Sequence, residues 1–126
     1  MPKKKTAPTA GRSGPRLRVL FSEITAMGPG RAELMERIAT TGSISAAARE
    51  MGMSYRRAWL LVEATNAAFV EPLVAASTGG SGGGGAQLTE FGLGVLERYR
   101  EMEKKAAEAL ASDFAVFKKL MVPPAK

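Results

Sequence analysis

The twenty residues ISAAAREMGMSYRRAWLLVE, from Ile44 to Glu63, follow the positional pattern of two short helices joined by a tight turn. The fifth residue, Ala48, is small, as it must be where the two helices approach most closely. The ninth, Gly52, supplies the positive φ that the turn needs. Apolar residues occupy the five positions at which both helices would face a core: Ala47, Met51, Met53, Ala58 and Leu61. Because all seven positions agree, the segment predicts a helix-turn-helix.

The second helix of this motif has one apolar arc, which contains Ala58, Leu61, Val62, Thr65 and Phe69. Arg56 points almost directly away from that arc. A recognition helix enters the major groove by its N-terminal end, so Arg56 is the candidate for a bidentate contact with a guanine edge. Ser54, Tyr55 and Arg57 are candidates for phosphate contacts that fix the register.

Other interpretations of the same residues stay open. Arg56 and Arg57 could form no more than a solvated helix face, and Tyr55 could lie at the edge of the core. Trp59 belongs to the candidate DNA-binding set, although its size and its single donor favour a partly buried supporting role.

The segments before the motif predict a strand and a first helix. Residues 16–24 alternate in polarity and contain β-branched and aromatic side chains, which favours one strand. Residues 27–30 break the chain, and residues 31–40 then have helical spacing up to Gly42, which ends the helix. Ser43 and Ser45 offer N-cap hydroxyls to the next helix, and both are candidates for DNA contact.

A hairpin is predicted after the recognition helix, which begins at Ser54 and runs to about Ala68. Two short apolar segments, residues 73–76 and 86–88, flank the glycine-rich residues 79–85. Such a hairpin is typical of a wing beside the recognition helix, and Gly79, Gly80, Ser81 and Gly82 are candidates for backbone contact with phosphate; a merely flexible turn is the alternative. The GxGxxG match in this loop is not expected to bind a dinucleotide, because no βαβ unit surrounds it.

A fourth helix is predicted from its cap, Thr89, to about Ala111, with a length of ~33 Å. Its apolar stripe could pack on its own domain or pair with a second subunit. Dimerisation is favoured because the helix is longer than so small a body can cover. The candidate dimerisation residues are Val95, Tyr99, Met102, Ala106, Ala109 and Leu110. A last apolar patch covers residues 114–121.

Composition limits the classes of function. The 126 residues include neither cysteine nor histidine, which excludes disulfides and thiolate or imidazole zinc sites and makes an enzyme unlikely. No cofactor is expected. Of the net charge of +6, residues 1–16 contribute +5, so the remaining body is nearly neutral and the overall charge is weak evidence for DNA binding.

These observations predict a mainly α protein with a small β component, a winged helix-turn-helix followed by a long dimerisation helix. Residues 1–15 are expected to be a disordered basic tail, and residues 16–122 one domain. No membrane span or signal peptide is recognisable, so a cytoplasmic protein is expected.

Three blocks of the sequence resemble the N-terminal domain of ModE, the molybdate-responsive transcriptional regulator. They are GSISAAA at residues 42–48, MSYRRAW at residues 53–59 and STGGSGGGGAQLT at residues 77–89. The first block also resembles, more loosely, the LysR-type winged helix. The resemblance covers roughly residues 31–111 and implies a homodimer that binds a palindromic operator in double-stranded DNA near molybdate-uptake or molybdenum-enzyme genes.

Two departures from the family pattern change what is expected. The chain ends at Lys126 without the C-terminal molybdate-binding domains, so direct binding of molybdate is not expected. Ser81 stands where the family often has a basic wing residue, which implies a shallower salt dependence of binding. A dimeric interaction module that pairs with a full-length regulator is the alternative function.

Overall fold

The computed structural model describes residues 14–77 and 85–123. Within them, three helices form the body, two hairpins flank it, and two further helices follow. In chain order the elements are β1 (Val19–Phe21), β2 (Ile24–Met27), α1 (Pro29–Thr41), α2 (Ile44–Met51), α3 (Tyr55–Ala67), β3 (Val74–Ser77), β4 (Gly85–Leu88), α4 (Glu90–Ala109) and α5 (Ala111–Lys118). The predicted fold class is confirmed.

The boundaries of the helix-turn-helix follow from caps that the sequence encodes locally. Ser43 begins α2, where its hydroxyl accepts the N–H of Ala46 at 2.9 Å. Ser54 begins α3 in the same way, with the N–H of Arg57 at 3.1 Å. Gly42 and Gly52 end α1 and α2 in the left-handed region, with φ of 75° and 72°. The bounds of these helices are therefore determined by contacts within a few residues of each turn.

The core lies between α1, the inner faces of α2 and α3, the wing and the first half of α4. Helix α1 supplies its centre, since Leu34, Met35 and Ile38 are fully buried. From the arc predicted for α3, Ala58, Val62 and Thr65 are buried, and Leu61 and Phe69 pack against the core. The predicted core face of the recognition helix is confirmed.

The N-terminal prediction of a single strand over residues 16–24 is wrong. The chain turns at Ser22, whose φ is 60°, so that β1 pairs antiparallel with β2, and Phe21 stands opposite Ile24. The only local sign of the turn is a pair of successive polar residues, since Glu23 stands where the face of Leu17, Val19 and Phe21 would continue with an apolar residue.

The second hairpin confirms the predicted wing strands. β3 and β4 pair antiparallel, with Val74 opposite Leu88 and Ser77 opposite Gly85. The N–H of Ala86 also donates to the carbonyl of Gly42 at 3.0 Å, which ties the wing to the turn between α1 and α2.

The C-terminal part differs from the prediction in one respect. Helix α4 begins at the predicted cap, where the Thr89 hydroxyl accepts the N–H of Gly92 at 2.9 Å. It ends at Ala109, and Leu110 (φ −100°, ψ 4°) separates it from α5, which was not predicted. No residue of α5 is buried, so the predicted apolar patch is an exposed surface in this chain. None of the helices in the described ranges could cross a membrane.

Candidate nucleic-acid interface

The recognition helix α3 exposes two basic side chains in its first turn. Arg56 and Arg57 are exposed and line a shallow recess of about 280 Å³ together with Ser54, Leu60 and Leu61. The Ser54 hydroxyl already accepts the Arg57 N–H, but its own O–H remains able to donate to a phosphate oxygen. This end of α3 therefore presents hydrogen-bond donors and positive charge together.

The opposite flank of α3 faces the wing across a cleft of about 410 Å³. Four predicted DNA-binding residues line this cleft, namely Ser43, Ser45, Tyr55 and Trp59. Its other wall consists of the wing residues Ala75, Ala76, Gly85 and Ala86. Tyr55 is 55% exposed and Trp59 is 42% exposed, so both rings are accessible and each also rests on the protein.

The predicted site residues thus form two groups on either side of α3. One group surrounds Arg56 and Arg57, and the other lies between α3 and the wing. Gly79, Gly80, Ser81 and Gly82 lie outside the described residues. The two groups share the exposed N-terminal end of one helix, as a groove-reading element requires.

The basic residues of α3 form no ion pair with a carboxylate in the described part of the chain. Within residues 14–77 and 85–123, the ion pairs join Arg37 to Glu33 and Glu50, and Arg100 to Glu36 and Glu103. None of these pairs involves Arg49, Arg56 or Arg57. The uncompensated positive charge of the helix-turn-helix therefore lies on its outer surface, although the body as a whole is nearly neutral.

The pair network at Arg100 has a structural role. Its guanidinium donates to the Glu36 carboxylate at 2.8 Å and to Glu103 at 2.6 Å, which ties α4 to α1. The hydrogen bond to Glu36, opposed by burial and reinforced by Glu103, raises the pKa of Arg100 above its ordinary value. Arg100 is therefore committed to holding α4 on the body.

Two residues of this surface were missed by the sequence reasoning. Leu60, one turn after Arg56, is exposed and lines the same recess, and an apolar side chain on the outer face of a helix is a usable signal. Asn66 lines the cleft and bonds to the wing backbone, which no local pattern indicates.

The candidate dimerisation residues differ in burial, from buried in the first half of α4 to exposed toward its end. Tyr99 is 3% exposed and its hydroxyl donates to the carbonyl of Leu17 at 2.6 Å, so the prediction that it lies on a pairing surface is wrong. Val95 is partly buried against the core. Met102, Ala109 and Leu110 are exposed, and Ala106 is partly exposed.

The fold and the exposed end of α3 define a winged helix-turn-helix protein. The chain matches the bacterial regulatory helix-turn-helix protein family, lysR type, over residues 30–93, slightly more than half its length. It belongs to this family of regulatory proteins, as its LysR-type resemblance predicted.

Relatives of known name carry the similarity further. The chain is 46% identical over 86 residues to the molybdenum-pterin-binding protein MopB of Rhodobacter capsulatus, covering 68% of this chain and 32% of that protein. It is 38% identical over 91 residues to the DNA-binding transcriptional dual regulator ModE of Escherichia coli K12, covering 70% and 35%. The predicted ModE resemblance is confirmed, and the chain spans about a third of the length of these relatives.

A solved structure supports the fold. The protein in the crystal structure of the CbnR_DBD–DNA complex superposes with a TM-score of 0.55 at 22% identity, over 69% of this chain and 94% of that chain. The chain is therefore a regulatory protein with a winged-helix fold, related to the ModE regulators.

Proposed function

We propose that the chain binds double-stranded DNA at a palindromic operator as a homodimer and regulates transcription from it. The observation that carries the proposal is the exposed first turn of α3, where Arg56 and Arg57 stand without carboxylate partners among the described residues. A guanidinium is bidentate and planar, which suits the guanine edge or a phosphate.

The contacts follow from the two groups of residues. Arg56 reads a base edge, and Arg57, Tyr55 and Ser54 hold phosphates on one side of the groove. On the other side, Ser43, Ser45 and Trp59 line the cleft toward the wing. The wing loop, with Gly79, Gly80, Ser81 and Gly82, approaches phosphate through its backbone amides.

The exposed C-terminal surface supports the homodimer. Met102 on α4 and Leu110 just after it are exposed, as are Val116 and Phe117 on α5 and Leu120 just after α5. Several large apolar side chains exposed within one short segment of the chain favour an interface. A two-fold dimer requires an operator with matching half-sites, which is why the site is palindromic.

The regulated genes are those of molybdate uptake or molybdenum enzymes, because the similarity to ModE includes α3 and the wing strands. The chain does not bind molybdate itself and acts in the cytoplasm. Calorimetry with molybdate tests the former point, and micromolar binding would contradict it.

A mobility-shift titration tests DNA binding, with DNA from upstream of its own gene and a shuffled duplex as control. Arg56→Ala should cost about 1–3 kcal/mol and relax specificity at one base pair. Arg57→Ala should weaken all sequences similarly and lower the salt slope by about 0.9 for each phosphate that is no longer neutralised. Equal binding of both duplexes at low salt would contradict the proposal.

The exposed surface of α5 also favours a second candidate, an interaction module that pairs with a full-length regulator. Sedimentation of the chain with and without a full-length homologue separates the two functions. Preference for the mixed dimer, without DNA binding by the chain alone, would support the second candidate.

A further inference from the structure

The side-chain amide of Asn66, near the end of α3, pairs with the backbone at the start of the wing. Its Oδ1 accepts the N–H of Leu73 at 2.8 Å and that of Val74 at 3.1 Å. Its Nδ2 donates to the carbonyl of Val74 at 3.0 Å. The amide thus satisfies both polar groups of Val74 that do not face β4, as a neighbouring strand would. Leu73 and Val74 are buried, so each of these groups needs a protein partner.

The same stretch of backbone is held from the other side by the start of α4. The N–H of Thr89 donates to the carbonyl of Leu73 at 2.9 Å, and its hydroxyl donates to the carbonyl of Pro72 at 2.8 Å. Gly92 packs directly on Leu73, because a Cβ at this position would overlap the Leu73 carbonyl. Recognition helix, wing and α4 therefore meet at one point, residues 72–74.

Asn66 lies on the flank of α3 that faces the wing, together with Tyr55 and Trp59. Asn66 follows Tyr55 by about three turns of the same helix. Because the helix is rigid over that length, a wing held by Asn66 has a fixed position relative to the N-terminal end of α3. Only an amide of this length can accept two N–H groups and donate to the adjacent carbonyl: aspartate lacks the donor, and glutamine is longer by one methylene.

We propose that Asn66 is a positioning residue that fixes the wing at the distance and angle from α3 at which both elements contact one DNA duplex. The proposal rests on the proposed DNA binding. It distinguishes the DNA contacts of the wing from those of the α3 arginines, because the wing, residues 72–89, contains no charged side chain. The wing contributes affinity without releasing counterions, whereas the arginines of α3 contribute affinity that depends on salt.

The first measurement is amide hydrogen exchange of the full chain without DNA. In Asn66→Ala, the N–H groups of Leu73 and Val74 should exchange at least about ten-fold faster, while that of Val62 in the core of α3 should be unchanged. Ala67→Asn, which puts the same side chain on the neighbouring exposed position, is the control and should leave all three rates unchanged. Unchanged exchange in Asn66→Ala would overturn the proposal.

The second measurement is DNA affinity at several salt concentrations. Asn66→Ala should bind the operator about ten-fold more weakly, with the salt slope and base preference of the unmodified chain. Asn66→Asp keeps the two accepted hydrogen bonds, but a charged carboxylate oxygen replaces the donor and repels the Val74 carbonyl, so its affinity should also fall while its base preference stays unchanged. It also serves in place of Asn66→Ala should that variant not fold.

The outcomes separate the proposal from the function on which it rests. Full affinity in Asn66→Ala, or a loss in that variant accompanied by a lower salt slope or altered base preference, would overturn the positioning role alone. Absence of binding by the unmodified chain would overturn DNA binding and the positioning role together. Faster exchange with weaker, equally salt-dependent binding supports the proposal.

Discussion

The chain has two regions: a body that runs to the middle of α4, and a C-terminal extension that consists of α4 from Met102 onward, α5 and the residues after it. Both contain similar apolar side chains, in very different surroundings. Helix α1 buries Ala32, Leu34, Met35 and Ile38, whereas α5, with Phe114, Val116 and Phe117, buries none. The difference shows that apolar content does not define a core. The helices of the body pack around a shared core, whereas no residue of α5 is buried. An apolar helix without a neighbour is suited to a partner surface.

The boundary between the two regions runs through the middle of α4. Tyr99 is the last buried residue of that helix among the described residues, and Met102, one turn later, is exposed. Arg100 anchors the same turn to Glu36 of α1. Substitutions before this boundary should therefore lower the free energy of unfolding. Substitutions after it should weaken the association of two chains instead.

The largest expected effect comes from emptying the centre of the body. Leu34→Ala should lower the free energy of unfolding by about 3 kcal/mol, because Leu34 is fully buried and a cavity remains. Leu120→Ala in the extension should change it by less than about 0.5 kcal/mol in the monomer, since Leu120 is 77% exposed. Urea denaturation at low protein concentration measures both, and equal losses would contradict the division.

A pair of glycines in the first turns of α4 sharpens the comparison. Gly92→Ala should cost about 2 kcal/mol, because its Cβ would overlap the backbone of Leu73. Gly94→Ala meets nothing within 4 Å and should stabilise the chain by up to about 1 kcal/mol through helix propensity. The two substitutions should shift the midpoint of thermal unfolding in opposite directions. Shifts of the same sign would contradict the close packing at Gly92.

A substitution in the extension should weaken the association of two chains and leave folding unchanged. Phe117→Ser, at a side chain 59% exposed, should weaken the proposed homodimer by about 1–2 kcal/mol and leave the monomer stability unchanged. Sedimentation equilibrium measures the first effect and urea denaturation the second. Ser112→Ala, on an exposed polar position of the same helix, is the control, and a dimer constant unaffected by Phe117→Ser would remove α5 from the interface.

The smallest effect is expected at the boundary residue itself. Tyr99→Phe should cost about 1 kcal/mol at pH 8, because the Leu17 carbonyl loses its donor. Burial, with a smaller contribution from Glu103, raises the pKa of Tyr99 from 10.0 to about 12. The protonated hydroxyl is the form favoured by folding, so its contribution is complete below pH 10 and is lost as the pH rises through 12.

The stability of the unmodified chain relative to that of Tyr99→Phe should therefore fall between about pH 10 and pH 12. Denaturation of both proteins at about pH 8 and about pH 11.5 measures this, and the comparison cancels the titration of lysines and other shared groups. A relative stability that rises with pH would contradict the assignment of Tyr99 to the core.

The helix-turn-helix could be predicted almost to the residue because its determinants are local. Ser43 and Ser54 cap helices within three residues of their own positions, and Gly42 and Gly52 adopt a backbone conformation that other residues avoid. The exposure of Arg56 follows from the same helical geometry. These features need only neighbours in the sequence.

Other features depend on segments far apart in the chain. The turn at Ser22 is marked only by two successive polar residues, and the end of α4 at Leu110 has no proline or glycine to mark it. Tyr99 has the spacing of an interface residue, but in the folded chain it is buried and its hydroxyl donates to Leu17, 82 positions earlier. Asn66 is an ordinary polar helix residue in the sequence, and only the approach of β3 gives its amide a strand to hold.

The sequence by itself therefore determined which helix is exposed at its N-terminal end and which residues stand there, because capping, turn conformation and helical periodicity act over a few residues. The tertiary structure alone decided how the wing is held to that helix and where α4 leaves the body. Both depend on buried backbone groups finding partners from distant segments, and such partners exist only after the chain has folded.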